Sequence, residues 1–300
     1  MKKQKNFFVR DTYGPQYGEV VLIMSVLTIV LVRIFLSLTG YPQVGNESLH
    51  IAHMLWGGLL MILSIVFLLN FVNSEIRWLS AFVGGIGFGL FIDELGKFLT
   101  SDNNYFFEPT FAIMYGIFLI LFFLIKYMQG HTNYRQDEIE ISKKLQDISP
   151  YKTDTYIYST YTKITGKIDA LLENIVESNW FIILVITYFV INAVISILIY
   201  LGTYIDIELY HPKFMITTPN IIEISATVGF TILTIIGSYK LIRRERVKAF
   251  IYFRYAVYLS IFVLQFFSFL HGQLSALFGL GLSIIILMSL NHFIEKNQVN

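Results

Sequence analysis

Long apolar runs separated by short polar stretches make up most of this 300-residue chain. A helix needs about 20 mostly apolar residues to cross the hydrocarbon core of a bilayer. By that measure the pattern predicts eight membrane-spanning helices, at 18–39, 48–72, 77–98, 107–128, 180–203, 220–242, 248–271 and 273–294. The predicted fold class is therefore all-α. The chain is predicted to be a polytopic protein embedded in the lipid bilayer.

A single long polar segment, 129–179, interrupts the series of apolar runs. Its second part spaces apolar residues as an amphipathic helix does, at Ile164, Ile168, Leu171, Leu172, Ile175 and Val176. The predicted domains are an N-terminal membrane half (1–128), a cytoplasmic amphipathic insert (129–179) and a C-terminal membrane half (180–300). We expect the insert either to lie on the membrane or the bundle floor, or to dock a cytoplasmic protein partner.

The two halves share a short internal similarity. Residues 26–28 resemble residues 185–187, and residues 38–41 resemble residues 201–204. Because both halves would begin on the same side of the membrane, this similarity predicts a degenerate 4+4 parallel repeat about an axis along the membrane normal.

The composition of the chain indicates a membrane protein, and the distribution of its charges predicts an orientation in the membrane. Hydrophobic residues make up 55% of the chain and charged residues only 14%, with a mean hydropathy of +0.61. Lysine and arginine are concentrated in alternate loops, which predicts that both termini are cytoplasmic. The abundance of Lys, Ile, Asn, Tyr and Phe favours a bacterial chain, and hence the bacterial plasma membrane. Basic residues beside apolar spans do not form a nucleic-acid-binding face.

Cysteine is absent, which narrows the possible chemistry. Disulfides, thiolate nucleophiles, cysteine-bound zinc and iron–sulfur clusters are all excluded. Any metal must be held by histidine, carboxylate or carbonyl ligands.

Ionisable side chains occur within the predicted spans at one common depth. At 1.5 Å per residue, His53 lies about 8 Å below the outer end of the second span. Asp93 and Glu94 lie at a similar depth in the third span, and Arg33 about two turns below the outer end of the first. Because charged groups inside a membrane are costly, we expect these to face the bundle interior or a water-filled cavity.

Helical spacing predicts which faces carry these groups. One side of the second span carries His50, His53, Gly57 and Ser64. One side of the third span carries Gly85, Gly89, Asp93 and Lys97. The glycine pair, four residues apart, favours a close helix–helix contact, which we expect with the second span. Glu94 points about 100° away, towards Arg33 or towards Tyr115 of the fourth span.

Polar residues of the second half occupy the same predicted layer. Glu223 begins the sixth span, and Gln265 and His271 lie near the outer end of the seventh. We expect these three residues to close the site from the second half. The predicted substrate-binding residues are therefore Arg33, Lys97, Tyr115, Glu223, Gln265 and His271.

Three functions remain open for this layer. In the first, a transporter-like protein uses it to bind a substrate, an ion or a proton. In the second, His50, His53 and Asp93 hold a divalent metal such as zinc, iron or manganese. Glu94 would then act as general base, and Arg33 would bind the anionic headgroup, in an outer-leaflet hydrolase of a lipid or lipid-linked substrate. In the third, the groups form a structural polar network.

The first half carries a resemblance to a known group of proteins. The stretch 50–58 followed by 85–94 resembles uncharacterised bacterial multi-pass membrane proteins in which a histidine-bearing helix precedes a glycine-rich helix that ends in Asp-Glu. The resemblance covers about residues 47–128, and the loop 102–107 fits it. It implies the same helical membrane architecture and implies no activity.

Overall fold

A computed structural model describes most of the chain. The described residues are 10–40, 45–46, 49–50, 53–105, 107–129, 134, 136–147, 160, 163–164, 166–167, 170–171, 180–181, 185–191, 194 and 221–298. The chain divides into two compact units, Met1–Lys163 and Ile164–Asn300, and each is described here by itself. The boundary between the units falls inside the predicted insert, and the predicted three-part division stays a prediction.

Up to residue 147, the described residues of the first unit form four long helices and two short ones. Its helices are α1 (Gly14–Thr39), α2 (His53–Asn70), α3 (Ser74–Asp93), α4 (Leu95–Leu99), α5 (Thr110–Gln129) and α6 (Gln136–Asp147). Two short antiparallel strands, β1 (Gly45–Asn46) and β2 (Leu49–His50), precede α2.

The described residues of the second unit are helical apart from the turn at 243–245. Its elements from residue 221 onward are α7 (Ile221–Ile242), α8 (Arg246–Leu259), a π-helix (Ser260–Leu264), α9 (Gln265–Gly272), a 3₁₀ turn (Gln273–Ser275) and α10 (Ala276–Gln298). Its core is aromatic: the ring of Phe189 stacks on Phe253 at 4.6 Å and on Phe230 at 5.7 Å.

Six helical stretches among the described residues are long and apolar enough to cross a membrane. They are Gly14–Thr39, His53–Asn70, Ser74–Asp93, Thr110–Met128, Ile221–Ile242 and Arg246–Asn297. This architecture indicates a membrane-embedded, multi-pass protein, and the predicted all-α class is confirmed for the described residues.

The last of these stretches folds back on itself. At 52 residues it is far longer than one bilayer crossing requires. The chain turns at Gln273, whose φ is +47°. The ring centroids of Phe250 and Phe293, one from each arm, lie 4.5 Å apart. The two arms lie where spans 248–271 and 273–294 were predicted. The predicted span 180–203 lies mostly outside the described residues, so the count of eight and the 4+4 repeat stay predictions.

The start of α2 differs from the prediction. The predicted span began at residue 48 and placed His50 on the same helical face as His53. Instead, His50 belongs to β2 and pairs with Gly45, and the helix begins at His53. The apolar run that carries the helix starts only after residue 53, and the polar stretch before it pairs with itself.

Helix α3 is held between α1 and α2 by close backbone contacts. A β-carbon at Gly89 would lie 2.6 Å from the carbonyl oxygen of Ser25 in α1, and one at Gly87 would lie 2.7 Å from the carbonyl oxygen of Gly57 in α2. The predicted partner of the Gly85–Gly89 face was therefore wrong: this face packs on α1. The opposite face, through Gly87, contacts α2.

Helix α6 docks on the segment that precedes α1. The backbone and side chain of Arg10 donate hydrogen bonds to the Glu138 carboxylate at 3.1–3.3 Å, and the Thr12 backbone N–H donates to Ser142 Oγ at 3.2 Å. The hydrogen bond that Arg10 donates to Glu138 raises the pKa of Arg10 above its ordinary value. At least this first part of the predicted insert is helical and packs on its own unit. The later run, 164–176, lies mostly outside the described residues.

Replacing Glu138 with glutamine should loosen α6. The Glu138 side chain is only 3% exposed, and its charge strengthens three hydrogen bonds from Arg10. We expect amide hydrogen exchange in 136–147 to become about tenfold faster. The control is Glu140→Gln, because Glu140 pairs with Lys144 on the exposed side of the same helix. Equal exchange rates in the two variants would contradict the docking role of Glu138.

Candidate functional site

A cluster of charged residues surrounds the junction between α3 and α4. Helix α3 ends at Asp93, Glu94 forms a one-residue break with φ −87° and ψ 8°, and α4 begins at Leu95. The break lets two consecutive carboxylates reach different neighbours. Both are buried: Asp93 is 0% exposed and Glu94 1%.

Asp93 receives hydrogen bonds from three different elements. Arg33 of α1 donates through Nε to Oδ1 at 2.6 Å, and Tyr105 of the loop after α4 donates through Oη to Oδ2 at 2.5 Å. Nε2 of His53, the first residue of α2, lies 3.1 Å from the same Oδ2. This carboxylate therefore connects α1, α2 and the 100–109 loop to the end of α3.

Arg33 is buried in α1 and is fully engaged with this end of α3. Its Nη2 donates to the backbone carbonyl of Asp93 at 3.0 Å, in addition to the side-chain pair. Its guanidinium lies 4.0 Å from the ring centroid of Tyr105 and 4.8 Å from that of Phe111. Aromatic faces attract a cation, and they offset part of the cost of burying it.

Glu94 has a different environment from Asp93. Its Oε1 accepts a hydrogen bond from Lys97 Nζ at 2.8 Å and lies 3.2 Å from His53 Nδ1. Its Oε2 is buried and has no hydrogen-bond partner within the described part of the chain. A buried carboxylate oxygen without a donor is costly, so this atom is the least satisfied acceptor of the cluster.

His53 lies between the two carboxylates. Nε2 faces Asp93 Oδ2 and Nδ1 faces Glu94 Oε1, at 3.1 and 3.2 Å. Its side chain is 25% exposed and that of Lys97 24%, whereas the carboxylates are enclosed. The histidine and the lysine therefore form the solvent-accessible edge of the cluster.

Tyr105 is a site residue that the sequence did not indicate. Its loop lies tightly on α4, because a β-carbon at Gly96 would be 2.9 Å from the carbonyl oxygen of Asn104, and Asn103 adopts φ +54°. Burial and the neighbouring Asp93 charge raise the pKa of the Tyr105 phenol, so it stays a hydrogen-bond donor. The sequence feature that could have indicated the position of Tyr105 was Gly96, a small residue one turn after the paired carboxylates.

The structure brings together five residues that the sequence selected: Arg33, His53, Asp93, Glu94 and Lys97. Arg33 pairs with Asp93. Glu94 does not turn towards Arg33 or α5 but binds Lys97 and His53. Tyr115 is buried in α5, 8% exposed.

The predicted residues of the second half lie in the second unit. His271 Nε2 is 3.8 Å from Glu223 Oε2, and Gln265 donates through Nε2 to the Ala276 carbonyl at 2.6 Å. Their predicted participation in the layer of the first half stays a prediction.

The metal-site hypothesis depends on His50, whose side chain lies outside the described residues. In the part of the chain that the structure describes, no three histidine or carboxylate side chains are arranged to hold a metal ion. Both ring nitrogens of His53 are directed at carboxylate oxygens, so neither offers a free lone pair without breaking a contact. The predicted ligand set of His50, His53 and Asp93 stays a prediction.

Comparison with known proteins adds no relative: no protein-family model, no curated protein and no solved structure matches this chain.

Proposed function

We propose that the protein is a transporter-like membrane protein that binds and releases a proton at the cluster of His53, Asp93 and Glu94. In this proposal the protein lies in the bacterial plasma membrane with both termini cytoplasmic. The cluster then opens to the outside through His53 and Lys97.

The observation that carries the proposal is the position of the His53 ring. A neutral imidazole has one N–H donor and one lone pair. Here both nitrogens lie within 3.2 Å of carboxylate oxygens, which are acceptors. Both contacts can be hydrogen bonds at the same time only if one additional proton is present. This proton is additional to those of a neutral His53, an ionised Asp93 and an ionised Glu94.

The hydrogen bonds favour His53 as the holder of this proton. Asp93 accepts hydrogen bonds from Arg33 and Tyr105, and these hydrogen bonds stabilise its ionised form. Glu94 Oε1 already accepts a charge-assisted hydrogen bond from Lys97 Nζ at 2.8 Å. The cluster then contains three cations, Arg33, Lys97 and His53, and two anions, Asp93 and Glu94.

Release of the proton would change one contact in particular. A neutral His53 keeps one donor, and Asp93 Oδ2 already accepts from Tyr105 while Glu94 accepts from Lys97. One histidine–carboxylate contact then becomes a repulsion between two lone pairs. We expect the Nδ1–Glu94 contact to open, because Arg33 and Tyr105 hold Asp93 in place. The unsatisfied Oε2 of Glu94 is the natural next acceptor of a proton.

Proton flux into vesicles tests this function. The protein would be reconstituted into liposomes that contain a pH-sensitive dye, and a potassium diffusion potential would drive protons inward. We expect wild-type vesicles to acidify faster than protein-free vesicles, and His53→Gln vesicles to match the protein-free rate, because glutamine cannot carry the proton.

His292→Gln is the matched control, because His292 forms no ion pair within the described residues and lies in the second unit. It should retain the wild-type flux. If wild-type and protein-free vesicles acidify at the same rate, the proposal is wrong and the structural-network hypothesis is favoured.

A further inference from the structure

The turn between α7 and α8 concentrates positive charge. The nine residues 240–248 contain five basic side chains and one acidic side chain, Glu245. The basic residues are Lys240, Arg243, Arg244, Arg246 and Lys248. This cluster, which we call the basic turn, belongs to the second unit and has no part in the proton site.

The only carboxylate of the basic turn is already neutralised. Glu245 lies 3.3 Å from Lys240 Nζ and 2.9 Å from Lys248 Nζ. No ion pair to another described residue engages the three arginines of the turn, and all three are exposed. They therefore present guanidinium groups that lack a counterion among the described residues.

The fold holds these arginines where a membrane surface would lie. Helix α7 ends at Ile242, α8 begins at Arg246, and both belong to stretches long and apolar enough to span. Arg244 has φ +62°, which lets the chain reverse within three residues. Ile242 is 82% exposed and Tyr239 is half exposed beneath Arg243, at 5.2 Å from ring centroid to guanidinium carbon. Apolar and aromatic side chains beside arginines are typical of the boundary between acyl chains and headgroups.

A fourth arginine lies on the same helix, two turns deeper. Arg254 Nε is buried and has no hydrogen-bond partner within the described residues. Side chains of a helix lean towards its N-terminus, which for α8 is the basic turn. An arginine within a spanning stretch normally has a polar partner.

We propose that the basic turn is a binding site for an anionic phospholipid, whose phosphodiester is held by Arg243, Arg244 and Arg246. The planar fork of arginine matches phosphate oxygens in pairs, which lysine does not. The acyl chains would lie along Ile242 and the apolar surface of α7. The lipid-binding proposal does not depend on the proposed proton site, so failure of one proposal would leave the other unchanged.

Binding of fluorescent phosphatidylglycerol to the purified full chain in a neutral detergent tests the site. Each basic residue near a membrane surface contributes roughly a fivefold gain in affinity, so the triple variant R243Q/R244Q/R246Q should bind on the order of a hundredfold more weakly. The control K126Q/K143Q/K144Q removes the same charge from exposed lysines of the first unit and should bind as wild type does.

Competitors identify the ligand chemistry. Unlabelled phosphatidylglycerol should displace the probe, whereas phosphatidylcholine should not. Competition by soluble glycerol 3-phosphate as strong as that by phosphatidylglycerol would overturn the lipid assignment in favour of a soluble phosphate. Equal losses in the two triple variants, or no loss in either, would overturn the site.

A single variant keeps the test valid if the triple variant does not fold. Glycine adopts the positive φ of residue 244 without strain, so Arg244→Gly preserves the turn while removing one guanidinium. It should lower the affinity roughly fivefold. Unchanged affinity in this variant would contradict the assignment of Arg244.

Discussion

Replacing Asp93 with asparagine is expected to lower the free energy of unfolding by about 3–5 kcal/mol, the cost of breaking a buried ion pair by removing one partner. Arg33 is 5% exposed and pairs with Asp93 at 2.6 Å. In the variant this guanidinium would be left in an apolar environment without its counterion. The hydrogen bond from Tyr105 and the contact with His53 would also lose their charged acceptor.

Unfolding in mixed detergent micelles, followed by circular dichroism, measures this effect. The control is Asp102→Asn, an equivalent change in the exposed part of the loop, which should stay within about 0.5 kcal/mol of wild type. Combining Asp93→Asn with Arg33→Met should recover much of the loss, because the unpaired charge is then absent. A stable single variant would show that Arg33 finds another counterion.

Replacing Gly57 with alanine is expected to destabilise the protein by about 1–3 kcal/mol through overpacking. The added methyl group would lie 2.6 Å from the Gly87 carbonyl oxygen and 2.7 Å from the Phe91 backbone nitrogen. Both atoms belong to the α3 backbone, which cannot move aside as a flexible side chain would. The helices would have to separate, which would also displace His53 from Asp93.

The neighbouring glycine provides the matched control for this variant. A β-carbon at Gly58 meets nothing within 4 Å, so Gly58→Ala adds the same methyl group to the same helix without a clash. It should be neutral, or stabilising by up to about 1 kcal/mol because alanine favours helix. Equal unfolding free energies for the two variants, measured under the same conditions, would contradict the close packing of α2 on α3.

Depth and helical facing were enough to select the central cluster from sequence. Charged residues within apolar runs are costly, and this cost favours the pairing of Arg33 with a carboxylate at the end of α3. Helix geometry then places Lys97 one turn after Glu94. Their assembly therefore follows from local spacing together with the requirement that buried charges be paired.

Other parts of the site depend on packing that the sequence pattern does not encode. Small residues occur on both sides of α3, at Gly85 and Gly89 and also at Gly84 and Gly87, so spacing alone does not say which side meets α1. Tyr105 follows a turn with no periodicity, and its position depends on how the loop lies over Gly96. His50 precedes the apolar run, where hydropathy does not distinguish a helix end from a short strand pair.

The glycine contacts of α3 also bear on how the protein would respond to a proton under the proposed function. On one side Gly89 meets the α1 backbone, and on the other Gly87 meets the α2 backbone, so α3 lies close to both neighbours. We therefore expect the three helices to move together as one rigid body. Under the proposed function, movement on proton release would then be confined to the His53 ring and the Lys97 side chain. Because Tyr105 contacts both Arg33 and Asp93, it would hold this pair in place while the charge at His53 changes.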